Sequence, residues 1–275
     1  MFAYHFMVNA FRAGTIVAIV AGVAGWFMVL RRETFAGHTL ALVGFPGAAG
    51  AVWLGISATW GYFGFCTASA LLIAALPRSA RGARAEESSA IGIVQAFALA
   101  AGFLFVSLYR GYLNGVNALL FGSFLGITDA QVLVLLLVAV GALAALGVIG
   151  RPLLFASVDP DIADARGVPV RLLSVAFLVL LGLTVAEVSQ ITGTLLVFAL
   201  LVMPAATGQV VSARPVRSLA ITVGVALAVT WAALVVAYYS PYPIGFWVTT
   251  FAFAVYVGAL GARRVRRRRA VMVVA

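Results

Sequence analysis

The sequence predicts an all-α polytopic membrane protein with eight or nine transmembrane helices. Three observations carry that expectation. Mean hydropathy is +1.13, and only 9% of the residues are charged. Apolar runs of about 20 residues, each long enough to cross roughly 30 Å of hydrocarbon, recur along the whole chain. The short alternating segments of a transmembrane β-barrel are absent. On length alone, 275 residues would also suit one or two soluble domains, and the composition excludes them.

Windows of about 19 residues place nine candidate spans. The first, 10–30, follows "MFAYHFMVNAF", which has no basic n-region and no small-residue cleavage site. It therefore reads as a retained span and not as a signal peptide. The second, 38–56, opens at His38 and holds Gly44, Pro46 and Gly47. Pro46 brings no N–H, so a helix break or kink is expected there. The third, 59–77, contains the single cysteine, Cys66, which can form no internal disulfide and reads as a small core residue. The fourth and fifth, 89–109 and 130–150, flank an apolar segment at 115–127 that is too short to cross and suits a re-entrant or interfacial piece. The sixth and seventh, 172–190 and 191–210, meet without a charged loop, so eight crossings plus a broken helix is the variant arrangement. Pro204, with Gly208, makes a second expected break near the end of the seventh span. Such glycines and prolines also serve close helix packing. The eighth and ninth, 218–238 and 244–262, lead into a basic tail, 263–275, and the whole chain, 1–275, reads as one transmembrane domain.

The formal charge of +10 comes from eighteen basic residues, all arginines. They fall in short connections and the tail, which fits membrane orientation better than nucleic-acid binding. Alternate connections hold all of them except Arg12 and Arg110. By the positive-inside rule the N-terminus is expected outside and the C-terminus in the cytoplasm.

One cytoplasmic connection, "SVDPDIADARGVPV" (157–170), gathers three of the eight carboxylates, Asp159, Asp161 and Asp164. Its residues spell a short helix. Asp159 suits the N-cap, and Pro160 suits the first helical position, which needs no donor. Asp161 and Arg166 complement the helix dipole. Gly167 can take the left-handed position after the helix, and Pro169 prevents continuation. A helix of about two turns needs a surface to pack on. It reads either as a plain connector or as a docking helix whose acidic face meets a basic pocket on a cytoplasmic partner.

Within the spans ionisable groups are nearly absent, so His38 and Glu187 stand out. Each also fits a residue near a membrane interface. Enzyme readings fare badly. With His5 and His38 the only histidines, a Ser–His or His-rich metal site is hard to assemble. "FGSFLG" lacks the second glycine of a G-x-S-x-G elbow. A chain without lysine has no Walker lysine, so any ATP is bound by another chain.

Five phrases, in order, resemble the integral-membrane permease of bacterial ABC importers for zinc, manganese and iron. "VLRRETFAGHTLALVGFPGAAGA" resembles the family's "RR-x-S-F-x-G-D-A-L-S-H-A-x-L-P-G", in register from Arg31 to Gly47. "LLFGSFLGITDAQ" is similar to its "L-F-G-S-I-L", and "DPDIADARGVPV" to its "D-P-E-x-A-x-x-x-G-V-P". "GTLLVFALLVMPAATG" resembles "G-x-L-L-V-x-A-L-L-V-x-P-A-A-T-A", and "YYSPYPIGFWV" is similar to "Y-x-x-D-x-P-x-G".

The resemblance implies a homodimeric permease with two ATPase subunits on one side and an extracellular solute-binding protein on the other. It implies that Asp159, Pro160, Asp161, Ala163 and Gly167 couple to the ATPase. No covalently bound cofactor is expected; the ion is cargo. The family's pathway motif has Asp, then His one helical turn later on the same face, where this chain has His38 and Leu42. Two histidines, one per protomer, could meet across a dimer interface, and imidazole favours zinc over manganese. Passage without protein ligands, or a chelate as cargo, are the other readings. Leu42 and Glu187 join His38 as expected pathway positions. The rival function is a secondary transporter working alone, which would need an internal repeat and a mid-membrane coupling residue. A membrane scaffold without transport is a third.

Overall fold

In the computed structural model, residues 4–75, 84–109, 120, 122 and 126–274 are described, with 84–87, 195 and 266–274 as backbone only. Arg78, Arg81, Arg110 and most of the 115–127 segment lie outside them. The described residues form ten helices: α1 (His5–Leu30), α2 (Thr34–Trp53), α3 (Ala58–Ala75), α4 (Arg84–Leu108), α5 (Asp129–Val158), α6 (Pro160–Ala165), α7 (Val170–Thr192), α8 (Thr194–Val211), α9 (Pro215–Tyr239) and α10 (Ile244–Val274). Eight of them are long and apolar enough to cross a membrane, and α8 is a shorter apolar helix of 18 residues. Each expected span has its helix. Helix ends run past the expected bounds, with α5 reaching Val158 through Pro152 and α10 continuing through the arginines. Hydropathy marks only the part that matches hydrocarbon thickness, whereas backbone hydrogen bonding carries a helix on into polar surroundings.

Helices α1, α2 and α7 form the interior, and α4, α5 and α10 stand largely exposed at its edges. A central position suits α1 because its buried face is built of small residues: Ala10, Ala13, Gly14, Ala18, Ala21, Gly22, Ala24 and Gly25. Lipid offers no hydrophobic drive for helices to meet, so close backbone approach supplies the attraction. At Gly25 the approach is closest, because a Cβ there would fall on the main-chain carbonyl of Leu201 in α8. Gly25→Ala is therefore expected to lower stability by about 1–3 kcal/mol, read as a drop in melting temperature of the purified protein in detergent.

Hydrogen bonds between helices fix the register. The Asn9 amide donates to the Ile127 carbonyl (3.2 Å), and Thr59 donates to Gln190 (3.0 Å). Thr39 donates to Gln95 at 2.9 Å, joining α2 to α4. The Trp26 indole donates to Ser218 (3.0 Å), while Gln209 donates to the Trp26 carbonyl (3.1 Å), which gathers α1, α8 and α9. His5 meets Asp129 at 2.9 Å at the opposite end of α1.

Neither Pro46 nor Pro204 unwinds its helix: α2 and α8 run as helices through both residues. A proline removes one hydrogen bond, and dense packing on either side can hold the helical path without it. Around Pro46 that packing is tight. A Cβ at Gly47 would strike the carbonyl of Gly61 in α3, and one at Gly102 in α4 would meet Phe45 and Pro46. The reversal of the chain falls at Gly193 instead, where φ is +75° between α7 and α8. Against this corner packs Gly122, itself at φ +76°, where a Cβ would collide with the Ile191 carbonyl.

Candidate functional site

The connection between α5 and α7 folds as its residues foretell. Helix α6 holds six residues, Pro160–Ala165, with Pro160 in the first turn. The Asp159 carboxylate accepts from the Ile162 N–H at 3.0 Å. At the other end Gly167 takes φ +80°, its N–H donating to the Asp164 carbonyl and that of Val168 to the Ala163 carbonyl. This pair of bonds is the Schellman closure. Ala163 is wholly buried and seats the helix on the bundle. Asp161, Ile162, Asp164, Ala165 and Arg166 are exposed. The result is a capped knob whose exposed surface carries Asp161, Asp164 and the large apolar Ile162, at the end of the bundle that also carries Arg31 and Arg171.

His38 and Leu42 lie four residues apart on α2, on one face, and both are half-buried. The His38 ring meets Phe198 of α8 edge-on, with centroids 4.7 Å apart. Its Nδ1 is buried and has no hydrogen-bond partner among the described residues. A ring nitrogen in that condition is either neutralised by packing or kept for a ligand.

Glu187 is fully buried inside the protomer, and neither of its oxygens has a partner among the described residues. It does not join His38. The Cys66 thiol donates to the Leu40 carbonyl (3.5 Å), and the Cys66 carbonyl abuts Gly182, so Leu40 and Gly182 share a level. His38 is two residues from that level towards the arginine-bearing end, and Glu187 five residues the other way. At 1.5 Å per residue, about 10 Å of depth separates them. Among the described residues no three or more His, Cys, Asp or Glu side chains gather closely enough to hold a metal ion.

Sequence reasoning placed Arg31 among the charges of a connecting loop. The structure places its side chain inside, 8% exposed, with Glu33, Ser157, Ser174 and Phe177 around it. The two serines are 126 and 143 residues away in sequence, so no local pattern could have announced them.

The sequence profile of the ABC 3 transport family matches residues 3–263. The manganese transport system membrane protein MntC of Halalkalibacterium halodurans is 30% identical over 216 residues, 78% of this chain and 72% of that protein. The manganese import system permease protein ScaB of Streptococcus parasanguinis is 31% identical over 74% of this chain and 71% of its own. Among solved structures, PsaBC from Streptococcus pneumoniae in complex with Fab superposes with a TM-score of 0.82 at 25% identity, covering 93% of this chain and 91% of that one.

Proposed function

This chain belongs to the ABC 3 transport family, as the membrane permease of an ABC metal importer, and from that premise we propose that it passes a divalent transition-metal ion, zinc in preference to manganese, between two copies of itself. Membership removes the rival reading of a secondary transporter. The chain is a transport subunit and not an enzyme, and it is a multi-pass protein of the plasma membrane.

The observation that carries the proposal is His38. Its imidazole is half-buried on the His38–Leu42 face of α2, with the buried Nδ1 lacking a hydrogen-bond partner among the described residues. Imidazole nitrogen suits zinc, whereas manganese prefers carboxylate oxygen, and the carboxylate expected at position 38 is absent. The names of the relatives speak for manganese; the donor set of this chain speaks for zinc. One histidine from each protomer gives a weak two-nitrogen contact. A pathway needs that weakness, since an ion must leave as readily as it enters.

The remaining parts follow from the same reading. A second copy covers the exposed edge formed by α4, where Ile93 and Phe97 are 70% and 74% exposed. Two ATPase subunits seat the α6 knobs, and a solute-binding protein delivers the ion at the opposite end. The arginine-bearing end is cytoplasmic, which puts the N-terminus outside. Glu187, buried within the protomer, reaches the pathway only if α7 moves.

Zinc and manganese uptake should both be measured in cells expressing this chain with its ATPase and solute-binding protein. Zinc uptake is expected to dominate and to vanish when the ATPase loses its phosphate-binding lysine. Uptake that survives that change overturns ATP-driven import, and preferential manganese uptake overturns the choice of zinc.

A further inference from the structure

We propose that Arg31 is the joint that carries movement of the α6 knob to the pathway helix α2. The inference rests on the reading of α6 as the ATPase-coupling helix.

One guanidinium holds three pieces of chain together. Nη1 donates to Ser157 Oγ at 3.3 Å, two residues before the cap of α6. Nη2 donates to Ser174 Oγ at 2.8 Å, in the first turns of α7 just after the knob. Nη2 and Nε donate to one oxygen of Glu33 at 2.9 and 3.2 Å. Glu33 is the N-cap residue of α2, five positions before His38. Both stems of the α6 knob and the foot of the His38 helix therefore meet at one side chain. Phe177 of α7 closes the pocket, with the guanidinium carbon 5.2 Å from its ring centre.

The backbone is shaped to keep this grip. Helix α1 closes through Arg32, the one non-glycine residue at positive φ (59°) among those described. Arg32 N–H donates to the Val29 carbonyl and Glu33 N–H to that of Met28. Glycine is the usual residue in such a turn, and a side chain there is costly. The turn points Arg31 inward and brings Glu33 back over it. Burial is also costly: Arg31 and Glu33 keep only 8% and 17% of their side-chain surface exposed. A buried ion pair often contributes less stability than apolar packing of the same volume would, and specificity of arrangement is a better-attested reason to keep one. Here the arrangement held is the junction of three helices and the knob. Guanidinium suits it because its donors leave a rigid plane in fixed directions, so displacing the stems displaces α2 as well. Lysine keeps the charge and loses the fixed fork.

The permease and its ATPase, reconstituted in proteoliposomes with the solute-binding protein, test this. Three variants are compared with wild type: Ser157→Ala with Ser174→Ala, Arg31→Lys, and Asp159→Ala as the control on the coupling reading. Zinc and manganese uptake and ATP hydrolysis are read together. The double serine variant and Arg31→Lys should both move about tenfold less metal per ATP, within the usual range of a coupling free energy. ATP hydrolysis should persist, and the complex should elute intact. A merely structural role would lower assembly and hydrolysis together and leave the ratio unchanged. If Arg31→Lys fails to assemble, the double serine variant decides, since it keeps the ion pair. An unchanged ratio in the double serine variant, with a reduced one in Asp159→Ala, overturns the joint while α6 coupling stands. An unchanged ratio in Asp159→Ala as well overturns the coupling reading and the inference with it.

Discussion

Replacing Ile162 with aspartate should detach the ATPase from the permease and abolish uptake. Ile162 is the apolar centre of the α6 knob, 50% exposed although its neighbours on either side, Asp161 and Ala163, are acidic and buried respectively. Half of its surface stays uncovered by the described residues, and an apolar side chain set among charged ones is a candidate anchor for an interface. Removing such an anchor typically costs 2 kcal/mol or more, roughly a thirtyfold loss of affinity. A carboxylate in its place adds the cost of burying an unpaired charge, several kcal/mol more. Asp159→Ala should weaken binding less, because it removes about 1 kcal/mol of cap from the helix; by loosening the knob it should still uncouple ATP hydrolysis from transport. Co-elution of the ATPase with each variant in detergent measures both losses of binding. Full binding by Ile162→Asp would place the ATPase elsewhere on the arginine-bearing end.

How legible each part was in the sequence follows from how local its physics is. Every residue that shapes α6 lies within about ten positions of the others: Asp159 caps, Pro160 starts, Gly167 turns and Pro169 ends the helix. Cap and turn rules act at that range, so the helix and its exposed acidic face could be read directly. The spans were legible for the same reason, since a run of apolar residues needs no partner to declare itself. The Arg31 junction was not, because Ser157 and Ser174 reach it only through the packing of α5 and α7 on α1. Pro46 is the converse case. A local rule expected a break, and contacts from Gly61, Gly102 and their neighbours keep the helix whole. Glu187 stood out in the sequence as a lone acid in a span. Its depth relative to His38 emerges only when Leu40, Cys66 and Gly182 are seen to share a level.

On the proposed pathway, the choice of metal turns on positions 38 and 42. His38→Ala should slow zinc uptake by about tenfold, equivalent to about 1.4 kcal/mol added to the barrier, because the chain has no second nitrogen donor on that face. His38 and Leu42 are both half-buried on one side of α2, with Phe198 against the imidazole. The sharper experiment rebuilds the family's pair. His38→Asp together with Leu42→His places a carboxylate and an imidazole one turn apart on the same face. A mixed oxygen and nitrogen site accepts manganese more readily than a lone imidazole does, so the double variant should gain manganese uptake while keeping zinc. His38→Asp alone should recover part of what alanine loses, since a carboxylate also binds zinc. Competition between the two metals in uptake by the four chains separates ligand chemistry from simple packing. A structural histidine would make every replacement lower both metals in step, with expression falling alongside. Wild-type zinc uptake in His38→Ala, at normal expression, would remove His38 from the pathway and the preference for zinc with it.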